Sequence, residues 1–343
     1  MMGPIQMFAH RLWRGDAGFL GVVVSVMLLP LEWVWRYHVK SRNRRFDNTN
    51  PVHIDGLRVI SIGNLAVGGT GKTPIASWVA RDLAEAGKKP CLVHGGYGMD
   101  EPALHRRWTP DIPVFVQRDR VAGAHEARLA GARSIVLDDA FQHRWIDRDV
   151  DLVILAAEDR FPGPVLPRGP YREPYGALGR ADAIVISRRT TTAKHARSLA
   201  QRVFDLVPET PVIGCVHLVS GAWRPLAMPS GEPVDARALD SALVLTAVGR
   251  PSAVAQSVAE VVDGEVVLRG YADHHEFSES EVLDARRRAG DGAIVVTEKD
   301  AVKLEPFAEE LGACYVMEQG LHWDWGEDAV RALIRGGSPV QCG

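Results

Sequence analysis

The chain has 343 residues, 46% hydrophobic and 24% charged, which is enough for two domains that each bury a core. A formal charge of −3, from 40 Lys+Arg against 43 Asp+Glu, gives no global case for nucleic-acid binding, so no nucleic-acid partner is expected. Cys91, Cys215, Cys314 and Cys342 are scattered without metal-ligand or redox spacing and are expected to be reduced, structural thiols.

Ala17 to Leu31 carries no charge and contains the apolar run Phe19–Leu29. Trp33, Trp35 and Tyr37 follow, with Arg36, Lys40, Arg42, Arg44 and Arg45. The run is shorter than the roughly 20 apolar residues of a spanning helix. Aromatic residues ahead of a basic cluster suit a membrane–water boundary on the cytoplasmic side. A cleaved signal peptide is disfavoured, because no small-residue cleavage site follows and the basic cluster lies after the run. The expectation is a membrane-inserted or interfacial helix with its basic flank over 1–45; a buried core helix is the alternative.

Val59 to Ile62 reads as a β-branched strand that breaks at Gly63. The segment Ala66-Val67-Gly68-Gly69-Thr70-Gly71-Lys72-Thr73 then has P-loop spacing, with Ala66 at the usual first glycine. Its glycines let backbone N–H groups turn toward phosphate oxygens, and the helix that follows adds its positive end. Lys72 is placed for the β- and γ-phosphates of ATP and Thr73 for Mg²⁺. Pro74 suits the first helical turn, and Ile75, Val79 and Leu83 share one helical face.

Cys91–Val93 is a short strand, expected beside the P-loop strand, that runs into a loop over 94–102. At that sheet edge Asp100 and Glu101 face the γ-phosphate, or they form a solvated acidic turn. Val114–Val116 is another strand, followed by a helix over 122–130. Ser134–Leu137 is an apolar strand ending in Asp138 and Asp139, the Walker-B pattern for acids that hold Mg²⁺ or its water. His143 either contacts nucleotide or substrate or caps the turn. After a strand over 150–155, Leu166–Pro174 is a proline-fixed loop. In it Arg172 neutralises a transferring phosphoryl group and Glu173 assists the metal, or the two form a surface ion pair.

A strand over 183–186 and a helix over 193–206 complete a P-loop kinase core expected at 46–208. Residues 209–343 read as a smaller α/β domain, with strands at 212–219, 243–248, 266–268 and 294–296 and a helix over 253–262. Asp273-His274-His275 either supports a general base, binds metal or forms a structural histidine pair.

Taken in order, several strings carry a resemblance: Gly63-Asn64, Val67 to Pro74, Gly96-Tyr97-Gly98, Asp100-Glu101-Pro102, Asp138-Asp139-Ala140-Phe141-Gln142-His143, Arg148-Asp149, Leu166 to Pro174, Asp273-His274-His275 and Thr297 to Lys303. The chain resembles the tetraacyldisaccharide 4′-kinase family over nearly its whole length. The resemblance implies a P-loop domain and a smaller α/β domain at the cytoplasmic face of the bacterial inner membrane. It implies transfer of the ATP γ-phosphate to the 4′-hydroxyl of an acylated glucosamine disaccharide 1-phosphate. It matches Asp100 with the catalytic base, His274 with the histidine that supports it, and Asp138 and Asp139 with the Mg²⁺-associated acids. The chain departs from the family pattern at His94-Gly95-Gly96-Tyr97, where Ser-Arg-Gly-Tyr is usual, in a short link from Tyr97 to Asp100, at Ala140, and at Val248-Gly249-Arg250-Pro251. The remaining readings are a P-loop kinase of another glycolipid or polyprenyl-type acceptor and, from a different class, a membrane-tethered nucleotide-dependent switch or scaffold without transfer activity.

Overall fold

The computed structural model describes residues 8, 9, 11–13, 15–96, 98 and 100–337; Tyr97 and Cys342 lie outside the described residues. Two compact units are present. One comprises Met7–His217 with Trp323–Gly343, and the other has Leu218–His322 as its body. Sequence spacing put a boundary at 208/209; the units change over at 217/218 and again at 322/323. The chain crosses inside two long strands, β7 (Val212–Pro225) and β11 (Cys314–Trp325), so no loop marks the boundary.

The larger unit is a parallel sheet in the order β3-β2-β4-β1-β5-β6-β7. Its other strands are β1 (Arg58–Asn64), β2 (Pro90–His94), β3 (Val114–Val116), β4 (Ser134–Asp138), β5 (Val150–Ala156) and β6 (Ala183–Arg188). β1 pairs with β4 on one side and β5 on the other. The expectation that the Cys91 strand neighbours β1 is therefore corrected: β2 pairs with β3 and β4. A parallel crossover leaves room to insert another strand, and chain order does not reveal that insertion. Helix α3 (Lys72–Glu85) covers the sheet with Ile75, Val79 and Leu83, all fully buried as their spacing predicts. Asp82 of α3 is itself buried and is paired by Arg331 and Arg335 of the last helix, Glu327–Arg335, which fixes that helix to this unit.

Two N-terminal helices, α1 (Gly18–Met27) and α2 (Leu29–Asp47), meet at a 51° bend. Among the described residues no single helix is long and apolar enough to cross a membrane; the bent pair passes that test only together. The core-helix alternative is corrected by exposure: Phe19 is 84% and Met27 72% exposed. α2 is nevertheless anchored. Its buried Glu32 is bonded by Arg36 and Arg168, and its Arg42 and Asn43 reach the fully buried Glu173 at 2.9 Å each.

The smaller unit carries the order β11-β10-β8-β9, all parallel, with β8 (Ser241–Thr246), β9 (Glu265–Gly270) and β10 (Ala293–Thr297). Asp300 is buried at its centre and accepts from Thr246 Oγ1, Thr297 Oγ1 and the Ala247 N–H. Cys91, Cys215 and Cys314 are buried free thiols; burial pushes Cys91 up to about 11.

Candidate active site

The P-loop leaves the carboxyl end of the central strand and closes on α3. Gly71, the residue before that helix, sits at φ 86°, a left-handed conformation that a side chain would strain. Gly63 allows another close approach: a Cβ there would lie 2.4 Å from Cβ of Phe141 and 2.6 Å from its backbone nitrogen. The loop is held internally. Asn64 Nδ2 donates to Thr70 Oγ1 at 2.7 Å, and Ser187 Oγ donates to the Thr70 carbonyl at 2.7 Å. Its first half also bonds to the proline-rich segment, through Arg172 N to Leu65 O at 2.6 Å and Val67 N to Pro170 O at 2.8 Å. Thr73 is half-buried in the first turn of α3.

The adjacent strand β4 brings up its acids. Asp139 adopts φ 52°, so the strand ends there and the two neighbouring carboxylates find different partners. Asp139 receives Arg172 Nη1 at 2.9 and 3.2 Å and lies 3.6 Å from Lys72 Nζ. Burial pushes its pKa up, but the charges of Lys72 and Arg172 outweigh this and hold it well below the usual carboxylate range. Asp138, 1% exposed, accepts from His105 Nε2 at 3.0 Å through Oδ2. Burial opposes its ionisation too, and the His105 hydrogen bond leads the effects that keep it ionised. Its other oxygen, Oδ1, is buried and has no hydrogen-bond partner among the described residues. An unmet buried acceptor costs about 1–3 kcal/mol, and a divalent cation would remove that cost. A carboxylate oxygen and the Thr73 hydroxyl are hard donors of the kind Mg²⁺ takes, so these residues fit it. Asp139, expected among the metal ligands, instead has its carboxylate engaged by Arg172 and Lys72.

The segment read as a loop over 94–102 contains the start of a helix, α4 (Asp100–Trp108). Asp100 opens it with its side chain buried, and Oδ1 accepts the Glu101 N–H at 3.0 Å. Glu101 Oε2 lies 2.9 Å from Nε2 of the buried His94, so the solvated-turn alternative does not hold. His94, Glu101 and Asp138 offer ligand atoms within 4.8 Å of one another. The Gly96 N–H donates to His94 Nδ1 at 3.1 Å, which leaves the ring proton on Nε2. In that tautomer His94 donates to Glu101 and has no lone pair at Nε2 for a metal.

His143 is half-buried, and burial together with the Arg120 charge lowers its pKa. Glu173, expected to assist a metal or to form a surface pair, does neither. It is fully buried against Arg42, Asn43 and Arg180, and it fastens α2 to the proline-rich loop. Three residues enter the site that no motif indicated: His105, Ser77 (whose Oγ lies 2.7 Å from His105 Nδ1) and Arg120, whose Nη2 donates to the Asp138 carbonyl at 2.9 Å. The available signal was Asp100-Glu101-Pro102, two acids and a proline in the pattern of a helix start.

In the smaller unit His274 sits at φ 62°, with Lys299 Nζ 3.5 Å from its Nε2. Lys299 also donates to Asp273 at 3.0 Å. His275 is the structural member of the pair. It stacks on Tyr271 at 4.6 Å and its Nε2 lies 3.0 Å from Glu281, so the two rings do not form a shared metal site.

The family model for tetraacyldisaccharide-1-P 4'-kinase matches residues 24–100 and 98–336. The tetraacyldisaccharide 4'-kinase of Anaeromyxobacter dehalogenans (strain 2CP-1 / ATCC BAA-258) is 36% identical over 328 residues, covering 86% of this chain and 85% of its own. That of Syntrophobacter fumaroxidans (strain DSM 10017 / MPOB) is 32% identical over 303 residues, with 80% and 77% covered. Among solved structures, LpxK from Aquifex aeolicus in complex with ATP shares the fold, with a TM-score of 0.68 at 21% identity over 91% of this chain and 98% of that one. With matches that run through both compact units, this chain belongs to the tetraacyldisaccharide-1-P 4'-kinase family.

Proposed function

We propose that this ATP-dependent kinase of lipid A biosynthesis transfers the γ-phosphate to the 4′-hydroxyl of tetraacyldisaccharide 1-phosphate through the residues gathered at the β1 and β4 strand tips. The observation that carries the reading is the P-loop lysine, Lys72, beside a Walker-B pair whose Asp138 keeps one buried oxygen unmet. The 4′-oxygen attacks the γ-phosphorus, the β–γ bridging oxygen leaves with ADP, and Asp100 takes the hydroxyl proton. Lys72 and Arg172 meet the negative charge of the phosphates, released from Asp139 as they do so. Ala66, Val67, Gly68, Gly69, Thr70 and Gly71 supply the backbone cradle. Mg²⁺ would be held by Thr73 and Asp138, where it would offset charge on the β- and γ-oxygens. Positioning supplies most of the acceleration in such transfers.

The surface of work is proposed to be the cytoplasmic face of the bacterial inner membrane. In support, Phe19, Leu20, Val22, Val26 and Met27 of α1 are exposed together, and the exposed Arg44 and Arg45 follow on α2.

The test is mass spectrometry of the lipid after incubation with tetraacyldisaccharide 1-phosphate and Mg-ATP. A gain of one phosphate at the 4′ position is expected. ATP hydrolysis with no phosphorylated lipid would overturn the reading. His274→Ala in the same assay tests whether the smaller unit contributes chemistry, and a lower kcat is expected.

A further inference from the structure

Asp138, His105 and Ser77 form a continuous buried chain. Ser77 is 1% exposed, His105 0% and Asp138 1%. The links are short: Ser77 Oγ to His105 Nδ1 is 2.7 Å, and His105 Nε2 to Asp138 Oδ2 is 3.0 Å. The Ser77 hydroxyl can donate or accept, so it satisfies Nδ1 while Nε2 donates to the carboxylate. Ser77 stands four residues after Thr73 on α3, hence one turn below it on the same face. The relay therefore starts under one expected Mg²⁺ ligand and ends on the other. Among the described residues only Oδ2 of Asp138 is held; Oδ1 is left buried and unmet.

We propose that His105 and Ser77 are positioning residues that hold Asp138 by one oxygen so that the other stays turned to the divalent cation of the nucleotide. The proposal rests on the reading of Asp138 as a metal-associated acid. Groups that orient a ligating carboxylate usually matter by about 10–100-fold in metal affinity. Without the ring, Asp138 is free to turn toward Lys72, whose charge it already senses. That turn would take both the acid from the metal and the lysine from the phosphate.

The experiment follows Mn²⁺ binding to the full chain by electron paramagnetic resonance at saturating ADP, beside kcat and the Mg²⁺ concentration at half-maximal rate. His105→Leu should weaken Mn²⁺ binding by about 10–100-fold while metal-free ADP binding stays within twofold. His105→Gln, which keeps a donor near the Nε2 position, should recover most of that loss. A buried histidine with a purely structural role would lower thermal stability in both variants without this difference in metal affinity. Ser77→Ala removes a single oxygen and keeps the test valid if His105→Leu does not fold; a loss of about tenfold is expected. Mn²⁺ affinity unchanged in folded His105→Leu, or in Ser77→Ala where His105→Leu does not fold, overturns the relay. Asp138→Ala separates the two levels. If it also leaves Mn²⁺ affinity unchanged, the metal reading itself fails; if it weakens binding while the His105 variant does not, only the relay fails.

Discussion

The strand-tip site and the N-terminal helix pair break the same burial rule in opposite directions. At the site, Asp100, Asp138, His105 and Arg120 are each no more than 2% exposed. On α1, Phe19, Leu20, Val22, Val26 and Met27 are each at least 60% exposed. Burying charge is costly unless partners meet it, and leaving contiguous apolar surface in water forgoes about 25 cal/mol per Å². The molecule accepts both costs where a nucleotide and a lipid surface are proposed to act. Elsewhere in the larger unit, Ile75, Val79 and Leu83 of α3 follow the ordinary rule, and the buried acids Asp82 and Glu173 are met by arginines. These two inversions are the ones proposed to serve function, and each can be attacked separately.

The largest effect is expected from Asp100→Asn, which should cut turnover by about 10²–10⁴-fold while ATP still binds, read as kcat beside nucleotide affinity. Unchanged turnover would remove Asp100 as the base. Lys72→Ala follows, with a loss of about 10²–10³-fold in turnover and weaker ATP binding. Glu173→Ala probes the fastening of α2 to the proline-rich loop, because it leaves Arg42 and Arg180 without their buried partner. It should cost about 3–5 kcal/mol by chemical denaturation. A cost near zero would mean that α2 is not fastened there. Leu20→Asp with Met27→Asp should abolish co-sedimentation with anionic vesicles while shifting stability by no more than about 0.5 kcal/mol per substitution. Retained sedimentation would detach the exposed face from the membrane.

The smallest effect concerns Asp151, buried on β5 beside Arg148 at 2.9 Å. Burial outweighs that arginine and pushes the carboxyl up to about 6. The folded state therefore binds this proton more tightly than the unfolded state does. The contribution is favourable while the group is protonated and is lost as pH rises from about 4 through about 6. Denaturation midpoints across that window should show this falling component, and Asp151→Asn should remove it.

Some of the site was legible residue by residue. Lys72 and Asp138 announced themselves because backbone phosphate cradles need glycines at fixed spacing, and an acid at a strand tip follows an apolar run. Asp100 is legible as a candidate but its setting is not: glycines before it and Pro102 after it suggest a loop where α4 begins. Proline is tolerated in a first helical turn, so the punctuation pointed both ways. Glu173 looked like part of the chemistry because it adjoins Arg172. Adjacent residues in an extended segment face opposite sides, and Glu173 turned inward to α2.

Local chemistry, carried by short stretches of chain, was fixed by the order of residues alone: the cradle, the acids, the apolar helix followed by positive charge, and the alternating α/β pattern. Packing decided the rest. It set which strand lies beside β1, which oxygen of Asp138 is held, how Ser77 and His105 reach it, and where the chain passes from one unit to the other. Those outcomes depend on contacts between residues 28 and 33 positions apart and more, and nothing in local propensity or spacing encodes such pairs before the sheet has assembled.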